Sequence, residues 1–239
     1  MNTAVIVAAG RGTRMGPGRD KLFLELAGEP AVVHTWRALD RCGDVDEVIL
    51  VVRPGMEGDF GALAGLVRPG RPWRCVAGGA ERQDSVAHGL AAISPDTELV
   101  AIQDGARPCT SPELIRRCLA AARVRGASVA AQRAVDTVKE SDGGTLIARH
   151  LDRSRLWLVQ TPQCFRVEVL QRALAAVRAS GQHITDDTAA CEWIGQPVEL
   201  VEAAEPNPKL TVPADVPYLE MLLGRLAAVP GKKATGAAA

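Results

Sequence analysis

The sequence TAVIVAAGRGTRMG, residues 3–16, joins a short apolar run to a glycine-rich turn. The apolar run, residues 3–9, is typical of a buried strand, and the first glycine follows it directly. A strand that leads into such a turn is where α/β proteins bind phosphates, because backbone N–H groups can approach the oxygens closely there. This stretch therefore predicts an α/β fold with a phosphate-binding loop after its first strand.

Short apolar runs alternate with longer amphipathic stretches along the rest of the chain. We predict further strands over residues 48–52, 99–103, 129–131 and 198–201. We predict helices over residues 30–41, 81–93, 112–125, 167–179, 186–194 and 214–226. This alternation favours a Rossmann-like α/β domain with a mainly parallel sheet flanked by helices.

One polar segment, residues 134–155, interrupts the alternation. It has Ser141-Asp142-Gly143-Gly144 at its centre, which predicts two extended stretches around a turn. It is either a surface hairpin or an arm that leaves the domain and contacts a partner subunit. We predict one domain over residues 1–228, with residues 134–155 as a protruding dimerisation arm and residues 229–239 as a disordered tail.

Composition excludes several classes of protein. The 239 residues hold 28 Lys and Arg against 28 Asp and Glu, which argues against a nucleic-acid coating protein or a binder of anionic membranes. No apolar stretch reaches the roughly 18 residues that a membrane span needs. The six cysteines form no C-x-x-C pair and predict reduced thiols in a cytoplasmic protein. We therefore expect no nucleic-acid partner and no membrane partner.

The glycine-rich turn admits three interpretations. A Walker P-loop requires Gly-Lys-Ser/Thr at its end, which is absent. A dinucleotide fingerprint requires a third glycine one residue earlier than Gly16 and an acidic residue after the second strand, where Arg53 stands. The third interpretation is a triphosphate loop, because basic residues crowd residues 11–21 with only Asp20 against them. These basic residues are Arg11, Arg14, Arg19 and Lys21.

Further motifs follow the loop in a fixed order. They are Gly78-Gly79-x-x-Arg82-x-x-Ser85-Val86, Asp104-Gly105-Ala106-Arg107-Pro108, Asp136-Thr137-Val138-Lys139, Gln160-Thr161-Pro162-Gln163, Thr185-Asp186-Asp187 and Lys209-x-Thr211. Together with Ala8-Ala9-Gly10-x-Gly12-Thr13-Arg14-Met15 and Lys21, this series resembles the 2-C-methyl-D-erythritol 4-phosphate cytidylyltransferase family of the non-mevalonate isoprenoid pathway. The resemblance covers about residues 3–225. It implies that CTP and a polyol phosphate react to give a CDP-polyol and pyrophosphate.

The resemblance also implies roles for individual residues. Arg14, Lys21 and Lys209 would be the catalytic cations. The CTP-binding residues would be Ala8, Ala9, Gly10, Gly12, Thr13, Gly79, Ala80, Arg82, Ser85 and Gly105. The polyol-phosphate-binding residues would be Arg107, Thr137, Arg153, Thr161 and Thr185, although Thr185 would equally suit the N-cap of the next helix.

A magnesium site is expected at the end of the strand over residues 99–103. Asp104 follows this strand, and Mg²⁺ prefers one or two carboxylates together with phosphate oxygens. The alternative is an aspartate that caps the next turn. Many members of the family supply a second acidic ligand near Lys209, where Glu205 is the candidate. The resemblance further implies a homodimer in which the arm contributes Thr137 and Arg153 to the neighbouring site.

The chain departs from the family pattern at a few positions. Asp20 stands where proline often precedes the loop lysine, and Ala80 stands where some members carry aspartate. Three rival functions remain open at this point. The nearest is a ribitol-5-phosphate cytidylyltransferase, which shares the same motifs. The others are an NAD-binding oxidoreductase and a non-catalytic nucleotide-binding module.

Overall fold

Strands and helices alternate along the chain in the computed structural model, which describes residues 1–10, 12 and 20–228. The strands are β1 (Asn2–Ala8), β2 (Glu25–Leu26), β3 (Glu29–Pro30), β4 (Glu47–Val52), β5 (Trp73–Ala77), β6 (Leu99–Asp104), β7 (Ala127–Arg133), β8 (Lys139–Ser141), β9 (Ile147–His150), β10 (Trp157–Arg166) and β11 (Glu199–Glu202). The helices are α1 (Ala31–Asp40), α2 (Glu57–Ala62), α3 (Ala64–Val67), α4 (Arg82–Ala91), α5 (Pro112–Arg125), α6 (Val167–Ser180), α7 (Asp187–Trp193) and α8 (Val216–Ala228). The predicted tail, residues 229–239, lies outside the described residues.

A seven-stranded sheet forms the centre of the fold, in the order β11-β7-β10-β6-β1-β4-β5. β1 pairs in parallel with β4 and β6, and the pairs β4–β5 and β7–β11 are also parallel. Only β10 runs antiparallel to its neighbours, β6 and β7, in this sheet. The prediction of a mainly parallel sheet flanked by helices is confirmed.

The central strands are buried on both faces, which explains why they are apolar without interruption. Successive side chains of a strand point to opposite faces. Ile6 therefore joins the apolar cluster that contains Trp36 of α1 and Ile115 of α5. Its neighbour Val5 joins the cluster on the other face, with Val86 of α4 and Leu170 of α6.

Local sequence signals place several helix ends correctly. α5 begins and ends at the predicted residues, Pro112 and Arg125. The Ser111 side chain accepts a hydrogen bond from the Leu114 amide, and Gly126 follows the helix with a φ of +90°. A positive φ of this kind favours glycine, so Gly126 ends the helix at little energetic cost.

The longest strand, β10, escapes the sequence prediction. Its centre is the polar stretch Gln160-Thr161-Pro162-Gln163, which contains a cis Thr161–Pro162 bond and coincides with a register shift against β7. The polar side chains are buried because they hydrogen-bond inside the fold, as Gln163 does with the amide of Asp187. β5, α2 and α3 were also not predicted.

The polar segment of residues 134–155, called the arm below, forms an antiparallel hairpin of β8 and β9. Every residue from 139 to 150 is exposed. Hydrogen bonds inside the arm join Lys139 to His150 and Glu140 to Arg149. Across the described residues, no helix combines the length and the apolar character that a bilayer crossing would demand.

Candidate functional site

A cleft opens at the carboxyl ends of β1, β5 and β6, which is where parallel α/β sheets usually bind ligands. The predicted residues that line this cleft are Ala8, Ala9, Gly10, Lys21, Gly79, Ala80, Arg82, Ser85, Asp104, Gly105 and Lys209. They come from five separate stretches of sequence, and the fold brings them together. Two further predicted residues, Thr13 and Arg14, lie outside the described residues.

Two loops of the cleft approach each other closely at glycines. A Cβ atom on Gly78 would lie 2.5 Å from the Cβ of Ala9 and 2.9 Å from the Oγ of Ser85. The Gly79 amide donates a hydrogen bond to the Ser85 Oγ at 3.2 Å, and this hydroxyl donates to the Glu81 carbonyl at 3.1 Å. Ser85 therefore fixes the loop that faces the first strand.

Gly12 and Lys21 lie against each other across the glycine-rich segment. Gly12 has a φ of +61°, and a Cβ there would lie 3.2 Å from the Cγ of Lys21. The Lys21 Nζ donates to the Leu210 carbonyl at 3.2 Å. Lys21 is thus held between the glycine-rich segment and the stretch that follows Lys209.

Asp104 lies among three cations at the end of β6. Its Oδ2 is 2.7 Å from the Lys209 Nζ and 3.7 Å from the Arg107 Nε, and its Oδ1 is 3.6 Å from the Arg82 Nε. Burial raises the pKa of Asp104, but attraction to Lys209 and Arg82 outweighs burial and holds this pKa below its ordinary value. Asp104 is therefore an anion at neutral pH.

A second carboxylate, Asp187, lies behind Arg82. The Arg82 Nη1 donates to its Oδ2 at 2.8 Å, and the Asp187 side chain is fully buried. Its Oδ1 has no hydrogen-bond partner among the described residues, and burial raises the pKa of Asp187 despite Arg82. With Lys209 and Arg107, the group contains three cations and two carboxyl groups, so its excess positive charge favours an anionic ligand.

Asn207 holds this part of the cleft together. It is 1 % exposed, and its Nδ2 donates to the Thr161 carbonyl at 2.8 Å. Its Oδ1 accepts from the Thr110 hydroxyl at 2.9 Å, and its carbonyl accepts from Arg107 at 2.6 Å. Thr161 in turn accepts a hydrogen bond from the Asp104 amide at 3.1 Å.

Neither Asn207 nor Asp187 was among the residues predicted for the site. Asn207 lies between Pro206 and Pro208, and such a short polar side chain in a stiff segment is the one local sign of its role. Asp187 belongs to a motif of which only Thr185 was assigned. Its Arg82 partner is 105 positions away in the sequence, so no local pattern could join the two.

The remaining predicted residues are not brought to the cleft in this chain. Thr137 and Arg153 are exposed on the arm, where Arg153 donates to the Val135 carbonyl. Thr185 is exposed. The cap of α7 is Asp186, whose Oδ1 accepts from the Ala189 amide at 2.8 Å, so the capping alternative for Thr185 is wrong.

The candidate second metal ligand, Glu205, is also exposed, and its carbonyl accepts from the Gln132 Nε2 at 3.4 Å. Among the described residues no group of three His, Cys, Asp or Glu side chains could hold a metal ion by itself. Asp104 offers one hard oxygen ligand, which suits Mg²⁺ when phosphate oxygens supply further ligands. The residues therefore fit a metal that arrives with a phosphorylated ligand.

Comparisons with known proteins agree over nearly the full chain. The family model for 2-C-methyl-D-erythritol 4-phosphate cytidylyltransferase (IspD) matches residues 2–225. The protein of this name from Pelotomaculum thermopropionicum is 42 % identical over 234 residues, which cover 95 % of this chain and 98 % of that protein. The one from Geobacillus kaustophilus is 40 % identical over 92 % of this chain and 96 % of its own length.

Solved structures give the same result. The 4-diphosphocytidyl-2C-methyl-D-erythritol synthase of Anaerococcus prevotii superposes with a TM-score of 0.83 at 30 % identity, over 94 % of this chain and 96 % of that chain. The 2-C-methyl-D-erythritol 4-phosphate cytidylyltransferase of Thermus thermophilus superposes with a TM-score of 0.74 at 33 % identity, over 93 % and 98 % of the two chains.

Proposed function

The chain belongs to the 2-C-methyl-D-erythritol 4-phosphate cytidylyltransferase family, and from this premise we propose how its residues carry out the reaction. It is a nucleotidyltransferase that transfers a cytidylyl group from CTP to 2-C-methyl-D-erythritol 4-phosphate. The ribitol-phosphate alternative is not favoured. The observation that carries the residue assignments is the cation cluster around Asp104, which faces Lys21 and the glycine-rich segment across one cleft.

The reaction requires little covalent chemistry from the protein. A phosphate oxygen of the polyol phosphate attacks the α-phosphorus of CTP, the bond from that phosphorus to the bridging oxygen of the β-phosphate breaks, and pyrophosphate leaves. Positioning and stabilisation of negative charge supply most of the rate in such transfers. Lysine and arginine side chains in the cleft serve both purposes.

Lys21 and Lys209 are proposed to bind the triphosphate and the charge that develops on it. Lys209 uses one N–H on Asp104, which leaves two N–H donors for phosphate oxygens. Arg14 is proposed as the third catalytic cation, by the family motif alone. Backbone groups of residues 8–10, 12 and 79–80 are proposed to hold CTP, because a loop after a parallel strand brings backbone groups close to phosphate oxygens and residues 8–10 and 79–80 line the cleft.

Asp104 is proposed to hold a divalent cation, most simply Mg²⁺, together with CTP phosphate oxygens. Such an ion supplies neutralisation of the triphosphate charge. Lys209 and Arg82 keep Asp104 ionised, and the Thr161 hydroxyl fixes the Asp104 backbone by accepting a hydrogen bond from its amide. Glu205 is proposed as a second ligand of this ion. Its backbone carbonyl accepts a hydrogen bond from the Gln132 side chain.

The polyol phosphate is proposed to bind between Arg107 and Thr161 of one subunit and the arm of another. Arg107 and Thr161 lie beside Asp104, whereas Thr137 and Arg153 lie on the exposed arm. The arm also exposes large apolar side chains, with Leu146 at 71 % and Ile147 at 67 %. We propose a homodimer in which these side chains are covered and Arg153 reaches the neighbouring cleft. A cytoplasmic location is proposed as well, and the six free cysteines support it.

The test is pyrophosphate release by the purified protein with Mg²⁺. CTP, UTP and ATP are each combined with 2-C-methyl-D-erythritol 4-phosphate or ribitol 5-phosphate. Turnover is expected with CTP and methylerythritol phosphate alone. Turnover with ribitol phosphate only would overturn the assigned substrate, and silence of folded, dimeric protein with every pair would overturn the catalytic assignment in favour of a binding module.

A further inference from the structure

Arg53 joins the two ends of the glycine-rich segment. It follows β4 directly, and its Nη1 donates to the Gly10 carbonyl at 3.1 Å. Its Nη2 donates to the Asp20 carboxylate and also lies against the Met56 Sδ. Gly10 and Asp20 flank residues 11–19 in the sequence, so one guanidinium joins the two residues between which this stretch runs.

Three features of this contact favour a firm restraint of Gly10 and Asp20 by Arg53. The Arg53 and Asp20 side chains are only 22 % and 17 % exposed, so the pair is less screened by water than an ordinary surface ion pair. The planar guanidinium presents several N–H donors in a fixed geometry, so it serves a carbonyl and a carboxylate at once. Asp20 passes the restraint on, because its Oδ1 accepts from the Leu22 amide at 3.0 Å.

We propose that Arg53 is a positioning residue for CTP: it fixes Gly10 and Asp20 relative to each other and so sets Lys21 against the backbone of the first loop. The inference rests on the proposed function, which assigns Lys21 and Gly10 to CTP. A loop whose ends are held loses less conformational freedom when its ligand binds. Asp20 stands where the family resemblance predicts proline, and proline would stiffen the same position by itself. In this chain the ion pair takes that role.

Arg53→Ala is the first variant to test, with Arg37→Ala as its matched control. Arg37 also pairs with a carboxylate, that of Glu29, and donates to a backbone carbonyl, that of Leu66, at similar exposure. We expect Arg53→Ala to lower kcat/KM for CTP by about tenfold to a hundredfold, since small displacements of positioned groups have effects of this size. Arg37→Ala should keep the parent value. An Arg53→Ala enzyme with the kcat/KM of the parent overturns the proposal.

Limited trypsin digestion gives a readout that does not depend on activity. The sequence places three cleavage sites, Arg11, Arg14 and Arg19, between the two ends that Arg53 joins. We expect Arg53→Ala to be cut within residues 11–19 faster than the parent, at an unchanged melting temperature, and Arg37→Ala to be cut there at the parent rate. Equal cleavage of all three proteins contradicts a positioning role, even if the parent shows no turnover and the proposed function fails.

A double-mutant cycle separates coupling from a general loss of fold. Asp20→Asn keeps an oxygen for the Leu22 amide and removes the charge that Arg53 binds. If the two residues act as one unit, the double variant is about as slow as Arg53→Ala alone. Arg53→Lys should recover part of the loss, because an ammonium reaches one partner but not both. Fully multiplicative losses, or full recovery by lysine, argue against the bridging geometry.

Discussion

The residues of the cleft are fixed by buried contacts, whereas the residues at the tip of the arm are exposed. In the cleft, Asp104 is 8 % exposed, and its neighbours are fixed by one another and by Asn207. In the arm, residues 139–150 are all exposed, and the hydrogen bonds described above join arm residues to arm residues. The comparison teaches that the described groups proposed for the triphosphate lie together within one chain. The groups proposed for the polyol phosphate are divided between the core and the exposed arm, which is proposed to contact a second subunit.

The largest effect is expected inside the cleft, from Lys21→Ala. Removal of a preorganised, positively charged hydrogen-bond donor should lower kcat about a hundredfold to a thousandfold. The melting temperature should change far less than kcat, because Lys21 is half-buried and lies outside the two apolar clusters of the core. Steady-state pyrophosphate release and thermal unfolding measure the two quantities.

Arg116→Ala provides the control for this variant, because Arg116 forms an exposed pair with Glu113 on α5, outside the cleft. It should keep the kcat of the parent. A Lys21→Ala enzyme with parental kcat would show that this lysine does not stabilise the phosphoryl group during transfer.

The sequence could predict those features that local signals mark, and it missed those that depend on partners distant in the chain. α5 was predicted to the residue because its cap, its proline and Gly126 are all local signals. The cleft glycines and Asp104 were also predicted, since motifs and strand ends mark them. β10 was missed because its buried polar residues are satisfied by partners distant in sequence, such as Asp187 for Gln163. Contacts of this kind have no local pattern.

Arg153→Ala should have the next largest effect, and its effect should differ in kind. A lost charged hydrogen bond to phosphate should raise KM for methylerythritol phosphate about tenfold to a hundredfold, with KM for CTP unchanged. Arg155→Ala is the matched control, since Arg155 is exposed in the same short 3-10 turn. Equal effects of both variants on KM would remove the specific role of Arg153.

Mixing the Lys21→Ala and Arg153→Ala proteins tests whether the arm acts on the neighbouring cleft. A mixed dimer combines an intact cleft from one subunit with an intact arm from the other. With methylerythritol phosphate well below its KM, random exchange should restore about a quarter of the parental kcat/KM, because about half of the dimers are mixed and one of their two sites is complete. No recovery after confirmed subunit exchange would indicate that the arm acts on the cleft of its own chain and would contradict the division of the site between two subunits.

A smaller effect is expected from the apolar side chains of the arm. The double variant Leu146→Ser and Ile147→Ser should weaken the dimer at least about tenfold, as each buried apolar side chain contributes about 1 kcal/mol or more. The fold of each subunit should be unaffected, since both side chains are exposed in the single chain. Sedimentation at a series of protein concentrations measures the dissociation constant.

Val124→Ser is the control for surface polarity, because Val124 is equally exposed but lies on α5. It should leave the dissociation constant unchanged. A dimer that tolerates the arm variant but not Val124→Ser would move the interface from the arm to the helix layer.

The smallest expected effect is a difference in pH dependence between a carboxyl group behind the cleft and one in the arm. Burial raises the pKa of Asp187, so its contribution to stability is present below the ordinary aspartate value of 3.8 and is lost as pH rises above it. In the arm, hydrogen bonds from Ser154 lower the pKa of Asp152, so its contribution is present above 3.8 and is lost as pH falls below it.

The two isosteric variants Asp187→Asn and Asp152→Asn isolate these contributions, because asparagine does not titrate. The melting-temperature advantage of the parent over Asp187→Asn should shrink as pH rises from about 4 to 7, and its advantage over Asp152→Asn should shrink as pH falls from about 5 to 3. Slopes of opposite sign are expected only if burial sets the pKa of Asp187 behind the cleft while hydrogen bonds from Ser154 set the pKa of the exposed Asp152 in the arm. Slopes of the same sign would mean that Arg82 compensates fully for the burial of Asp187, and that the two regions do not differ in this respect.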